Sequence, residues 1–324
     1  MTRPKIAVLD DDQGVARHCA DWSGLEARAD VTFLTGPIPP ARAAEVLAPF
    51  EVLVPMRERT AFPATLIGAL PALRMIAMTG ARAQTLDLAA CTARGIVVSN
   101  TGGTATTAGT AELAWMLLQA CARRLPQADA GLRVGLWQDA PGVYGSLGEV
   151  LDGKRLGIVG LGRLGSRMAR YAAAFGMEVV AWSQNLTEDA AQAAGARLVD
   201  KAELFATADA VSLHLVLSAR TENIVGAAEL GAMKPGAILV NTSRGPLVDR
   251  DALLAALGER RIVAGLDVFH TEPLPVDDPL RGMANAVLTP HLGYSVWPGF
   301  RQFYGQAIEN VTAFLDGAPI RVVS

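Results

Sequence analysis

Cysteine, histidine and cationic surplus are all scarce in this 324-residue sequence, and each scarcity removes a class of function. The three cysteines (Cys19, Cys91, Cys121) stand at no metal-ligand spacing and cannot all pair, so neither a metal cluster nor a disulfide scaffold is expected. Free thiols in a reducing, cytoplasmic compartment fit that pattern. Lys plus Arg number 29 against 32 Asp plus Glu, with no cationic block, which argues against a phosphate-tracking nucleic-acid surface. No stretch approaches the roughly 18 uninterrupted apolar residues of a membrane-spanning helix. The most apolar segment, Ala111 to Ala122, is interrupted by Glu112 and Gln119 and reads as a buried helix. Thr2-Arg3-Pro4-Lys5 runs straight into Ile6-Ala7-Val8-Leu9 and three aspartates, which reads as a first strand and not a signal peptide. A soluble, intracellular globular protein is the expectation.

What is present is ample apolar material: 51% of residues against 19% charged, enough for about two domains of ordinary size. Short β-branched runs alternate with helical stretches from end to end. Ile6–Leu9, Val31–Leu34, Val52–Val54, Met75–Met78 and Ile96–Ser99 form a first series. Leu156–Val159, Glu178–Trp182, Val211–Leu215, Ile238–Asn241, Ile262–Asp267 and Val287–Thr289 form a second. Runs this short and this continuously apolar are strands of parallel sheets covered on both faces. Helices are expected over Leu164–Phe175, Ala190–Ala194, Ala227–Met233 and Arg250–Leu257. A longer one is expected over Ala108–Ala122, with Pro126 marking its end. The boundary signals are Asn100-Thr101-Gly102-Gly103 and the Gly/Pro-rich stretch Pro141 to Gly153. Two doubly wound α/β units joined by a long helix follow from this order.

The sharpest local motif is Gly160-Leu161-Gly162-Arg163-Leu164-Gly165, placed between a strand and a helix. That context is what a dinucleotide needs: a tight turn, a close approach of pyrophosphate to backbone, and close helix–strand packing. The acidic residue that usually follows about 20 positions on, to bind the adenosine ribose, is missing. Ser183 occupies its place, and Glu188 and Asp189 are assigned to the next helix's first turn. Neither a repelling carboxylate nor a nearby arginine decides between the two nicotinamide dinucleotides, so the preference stays open.

Four histidines make the survey of proton carriers short. His18 reads as a surface residue, and His214, inside an apolar strand, as a core or cofactor-edge one. His270 looks exposed. His291 follows a strand and Thr289-Pro290, and strand ends of open α/β sheets are where ligands bind, so it leads. Arg244, also just past a strand and flanked by Ser and Gly, is either a solvated charge or a fork for a substrate carboxylate. Glu272 follows the next strand. An Arg, a carboxylate and a His at successive strand ends, beside a dinucleotide turn, point to hydride transfer to a carbonyl next to a carboxylate.

These segments, GLGRLG, NTSRGPLVD, AGLDVFHTEPLP and LTPHLGY in this order, closely resemble the D-isomer-specific 2-hydroxyacid dehydrogenases along essentially the whole chain. The resemblance implies a Rossmann cofactor domain (102–289) inserted into a flavodoxin-like substrate domain (1–101 and 290–324). It also implies a homodimer built on cofactor-domain helices and a small 2-oxo or 2-hydroxy acid as substrate, with NAD as cofactor and NADP admitted. Site roles follow by the same route. Arg244 binds and polarises the 2-oxo acid, His291 is the acid/base, and Glu272 pairs with it. Gly160, Gly162, Arg163, Leu164, Gly165 and Ser183 hold the dinucleotide, while Asp267 and Thr242, Ser243 and Arg244 hold its nicotinamide end. Arg57, Gly80, Ala81 and Arg82 match substrate-side loops. No metal is implied. Two departures stand out: Ser183, and Val216 where a proline usually follows the His214 position by two residues. Two rival readings stand beside it: a nucleotide-sensing corepressor on the same fold, and a dehydrogenase of a different small acid such as formate or phosphite.

Overall fold

The computed structural model describes residues 3–81, 85–138 and 147–323. Two compact units divide the chain. One holds residues 1–106 and 295–324, and the other holds 107–294. His291 therefore belongs with the second unit.

The first unit carries strands β1 (Lys5–Val8), β2 (Asp30–Phe33), β3 (Val52–Val54), β4 (Met75–Ala77) and β5 (Val97–Ser99). All pairs are parallel, in the order β2-β1-β3-β4-β5. Ile6, Ala7, Val8 and the whole of β3 and β4 are buried, which is why these runs are apolar without alternation.

The second unit carries β6 (Arg155–Val159), β7 (Glu178–Trp182), β8 (Arg197–Leu198), β9 (Ala210–Leu213), β10 (Ile238–Asn241), β11 (Val263–Leu266) and β12 (Ala286–Leu288). Its order is β12-β11-β10-β9-β6-β7-β8, again parallel, and the strand order reverses between β6 and β9. Alternate residues feed two separate cores. Val180, Val211 and Leu239 enter one cluster, while Val179, Ala181, Ile238 and Val240 enter the other. Both sheets are doubly wound, and the chain is α/β throughout.

Three local expectations need correction. The long helix runs from Thr104 to Arg123, and it ends because Arg124 turns left-handed, with φ +51°; Pro126 instead sits in the first turn of the next helix, Leu125–Arg133. The β9 strand stops at Leu213, so His214 follows the strand and is not inside it. β8 was not anticipated, because a two-residue edge strand with an exposed Arg197 leaves no apolar run to detect. Of the boundary stretch from Pro141 to Gly153, residues 141–146 lie outside the described residues. No helix among the described residues is long and apolar enough to cross a membrane.

Candidate active site

β6 ends on the glycine-rich turn and helix 163–174 begins at once. Gly160 has φ +98°, and a Cβ there would lie 2.8 Å from the His214 carbonyl carbon, so the turn packs directly against the tip of β9. A Cβ on Gly165 would lie 2.3 Å from the Gly160 carbonyl oxygen, which leaves no room for any side chain where helix meets turn. Gly162 differs from both: a Cβ would meet nothing within 4 Å. It is the N-cap of helix 163–174 and offers no side-chain cap to the first-turn N–H groups. Two glycines thus let backbone pass backbone, and the middle one faces open space at a helix N-terminus, at the point where strand order reverses. That is a cradle a pyrophosphate fits. Arg163 is exposed and Leu164 half-buried on the same first turn.

Ser183 lies half-buried just past β7, and its carbonyl accepts from the Leu186 amide at 3.1 Å. Glu188 and Asp189 occupy the first turn of helix 188–193, capped by Thr187, as the sequence indicated. Thr242, past β10, has a buried Oγ1 with no hydrogen-bond partner among the described residues, an atom suited to a bound group. Ser243 is committed elsewhere, since its Oγ donates to the Leu213 carbonyl at 2.8 Å.

Arg244 is held by backbone geometry on both sides. The Asn241 side-chain amide donates to the Arg244 carbonyl at 2.8 Å, and the Asn241 Oδ1 accepts from the Ser243 amide at 3.0 Å. A Cβ on Gly245 would lie 2.1 Å from the Phe269 carbonyl carbon, so the Arg244 turn lies directly against the turn that carries Glu272. Glu272 in turn accepts from the Phe269 amide at 2.9 Å through Oε1 and sits 2.6 Å from His291 Nδ1 through Oε2. Burial pushes the Glu272 carboxyl up, but the His291 hydrogen bond and charge, the Phe269 amide and the Arg244 charge together hold it below its ordinary value. The three strand-end residues singled out in the sequence therefore converge.

His291 has φ +54°, a left-handed conformation that a non-glycine residue rarely adopts. What holds it there is Asp267, a fully buried carboxylate at the end of β11. Its Oδ1 accepts from Thr289 Oγ1 at 2.6 Å and from the Leu292 amide at 2.7 Å, and its Oδ2 accepts from the Gly293 amide at 2.9 Å. Burial lifts the Asp267 carboxyl above its ordinary value, against the pull of these three donors and of the His291 charge. Tyr294 stands edge-on to the His291 ring, with centroids 5.6 Å apart. Neither Thr289 nor Tyr294 was singled out in the sequence. The bond across 22 residues from Thr289 to Asp267 belongs to no periodic pattern; only their places at adjacent strand ends would have hinted at it.

The other histidines sit apart from this arrangement. His214 Nε2 shares a hydrogen bond with Ser212 Oγ at 2.8 Å, its Nδ1 is buried without a partner among the described residues, and burial pushes it down to about 4. It is a neutral ring at neutral pH. His18 and His270 are exposed.

The substrate-side candidates of the first unit form their own cluster. Arg57 (φ +56°) donates its backbone N–H to Thr79 Oγ1 at 2.7 Å, and Thr79 Oγ1 donates to the Pro55 carbonyl at 2.9 Å. Gly80 (φ +91°) donates to Thr101 Oγ1 at 2.6 Å, and a Cβ on it would lie 2.1 Å from Arg57 Nη1, so the guanidinium rests on the glycine. The Ala81 carbonyl accepts from the Asn100 side chain at 3.2 Å. Arg82 lies outside the described residues.

Comparison with known proteins identifies the family. Residues 115–293 match the family model described as the D-isomer specific 2-hydroxyacid dehydrogenase, NAD binding domain. A glyoxylate reductase of Thermococcus litoralis is 41% identical over 253 residues, spanning 76% of this chain and 75% of that protein. A D-3-phosphoglycerate dehydrogenase of Methanocaldococcus jannaschii is 37% identical over 273 residues, spanning 84% of this chain and 51% of that protein. Among solved structures, a phosphoglycerate oxidoreductase from Vibrio cholerae O395 superposes with a TM-score of 0.91 at 37% identity, covering 97% of this chain and 100% of that one.

Proposed function

The chain belongs to the D-isomer-specific 2-hydroxyacid dehydrogenases, an NAD-binding family, and on that premise we propose that it reversibly reduces a small 2-oxo acid to the D-2-hydroxy acid. The observation that carries the residue roles is the 2.6 Å contact from Glu272 Oε2 to His291 Nδ1, made beside the Arg244 turn. Glu272 accepts from Nδ1 and so leaves Nε2 as the nitrogen that exchanges a proton with substrate. Arg244 binds the carboxylate with two of its guanidinium N–H groups and polarises the neighbouring oxo group. When bound, the nicotinamide supplies the hydride. His291 then gives its proton to the oxygen that becomes the hydroxyl, and in the reverse direction removes it. Asp267 acts through the Thr289–Gly293 loop: it sets the direction of the His291 ring. Thr242 and the Gly160–Gly165 turn are the groups that hold the cofactor, with Ser183 at its ribose end.

The second unit serves as the cofactor domain and the first as the substrate domain, with Arg57, Gly80, Ala81 and Arg82 on the substrate side. A homodimer is supported by exposed apolar side chains concentrated in one stretch of the second unit: Leu125, Leu132, Val134, Trp137, Leu147 and Val150. The two curated relatives are named for an unphosphorylated acid and for a phosphorylated one, so the substrate class is a separate question. The test of the activity is NADH and NADPH oxidation against a panel of glyoxylate, hydroxypyruvate, pyruvate and bulkier 2-oxo acids. Turnover with at least one, giving the D-product, is expected; no turnover with any member would overturn the reading.

A further inference from the structure

We propose that Glu58 determines substrate class, making the Arg57 loop reject a phosphorylated 2-oxo acid and admit one whose side chain carries no negative charge. This rests on the preceding reading, in which that loop is on the substrate side. The loop holds two arginines, and both already face anions. Arg57 Nε lies 3.6 Å from Glu58 Oε2, and the two side chains are only 23% and 19% exposed, so the pair is weakly screened. Arg59 Nη1 donates to the Asp10 carbonyl at 2.7 Å and to Gln13 Oε1 at 3.0 Å, and lies 3.1 Å from Asp12 Oδ2. Among the described residues of this cluster, the charges of Arg57 and Arg59 are thus matched by those of Glu58 and Asp12.

The arrangement is also hard to rearrange. Thr60 Oγ1 donates to the buried Asp10 Oδ1 at 2.7 Å, which ties the end of the loop to the tip of β1. The Arg57 backbone is pinned by Thr79, and its guanidinium rests on Gly80. Swinging Arg57 away from Glu58 toward a phosphate would break a seated position, and it would still leave the carboxylate beside the incoming dianion. Binding a phosphate requires surplus positive charge and donors not already engaged by anions. An unphosphorylated acid makes no such demand on this loop.

The experiment compares hydroxypyruvate with its 3-phosphate, which differ only by the phosphoryl group, in kcat/KM with the better cofactor. A parallel titration calorimetry series measures D-glycerate and its 3-phosphate. In the wild type we expect hydroxypyruvate to lead by about tenfold or more, since one like charge at close range in a half-desolvated setting has that effect. Glu58→Gln should raise the phosphorylated-to-parent ratio by about tenfold, through KM and not kcat. Glu58→Asp, which keeps the charge, should hold the wild-type ratio. A wild type that uses the phosphate ester equally or better would overturn the proposal, as would a Glu58→Gln ratio that does not move. Failure of every 2-oxo acid would strike the activity itself, and the calorimetric ratio would still decide the role of Glu58.

Discussion

The two doubly wound units use their strand ends in opposite ways. In the second unit, Gly160 and Gly165 are tightly packed while Gly162 between them faces open space, and Thr242 keeps a buried hydroxyl without a partner among the described residues. In the first, Gly80, past β4, gives its space to the protein's own Arg57, and the arginines of the Arg57 loop are matched by Glu58 and Asp12. One unit ends in unfinished contacts, the other in balanced ones. Parallel α/β topology sets where ligands can bind, but the side chains at the strand tips decide whether a site is an open cradle or a filter. Buried carboxylates reverse the divide: Asp267 has both oxygens occupied in holding a loop, whereas Asp10 holds Thr60 with one oxygen and, among the described residues, leaves Oδ2 buried without a partner.

The strongest way to break this contrast is to remove the group at the centre of the second unit's site. His291→Ala should lower kcat by about 10²–10⁴, the range of general acid–base catalysis, while NADH affinity measured by fluorescence changes little. His270→Ala, at an exposed position two residues before Glu272, should retain most activity; equal losses in the two proteins would refute the histidine assignment.

Glycine substitutions sharpen the comparison at a smaller scale. Gly165→Ala places a Cβ 2.3 Å from a backbone oxygen that cannot yield, so a stability loss of about 1–3 kcal/mol and weakened NADH binding are expected. Gly80→Ala would displace the seated end of Arg57 and not a backbone atom, and φ +91° strains any alanine there. Its signature should be a raised KM for the oxo acid with NADH affinity retained. Thermal melts and separate KM measurements distinguish the two patterns, and matching patterns would erase the distinction drawn between the units.

A pH profile tests the Glu272 contact. Because the folded carboxyl is held below its ordinary value, its stabilising charge is in place above that ordinary value and is lost only as pH falls through the lowered one. Glu272→Gln removes the negative partner of the ring, so the alkaline fall-off of the reduction rate should move to lower pH, with a loss of about tenfold at neutral pH. An unmoved profile would show that the 2.6 Å contact serves structure only.

The smallest effect concerns Ser183. It neither repels a 2′-phosphate nor neutralises one, so both cofactors should work, NADH modestly better because the phosphate would be desolvated without a cation. Ser183→Asp should widen that preference by about tenfold through repulsion, leaving the ranking of oxo acids as it was. The ratio of kcat/KM for the two cofactors decides it, and a marked NADPH preference in the unaltered protein would contradict the argument.

Much of this was legible in sequence because it depends on residues close together in the chain. Continuous apolar runs specify buried parallel strands, and Gly160, Gly162 and Gly165 specify a strand–turn–helix whichever residues lie elsewhere. The helix after Thr187 announced itself through its cap and its acids. Arg244, Glu272 and His291 could be chosen as candidates because each follows a strand, and in a parallel sheet successive strands end on one edge. Other features required the folded chain. The reach of Asp267 to Thr289, Leu292 and Gly293, the left-handed backbone of His291 and the partnerless Nδ1 of His214 depend on which strands become neighbours and how far each is buried. So does the resting of Arg57 on Gly80, 23 positions away in sequence. Local propensity and apolar patterning act over a few residues and are written in order along the chain. Desolvation and the pairing of charges act over a few ångströms of space, and only the tertiary structure brings those groups within that range.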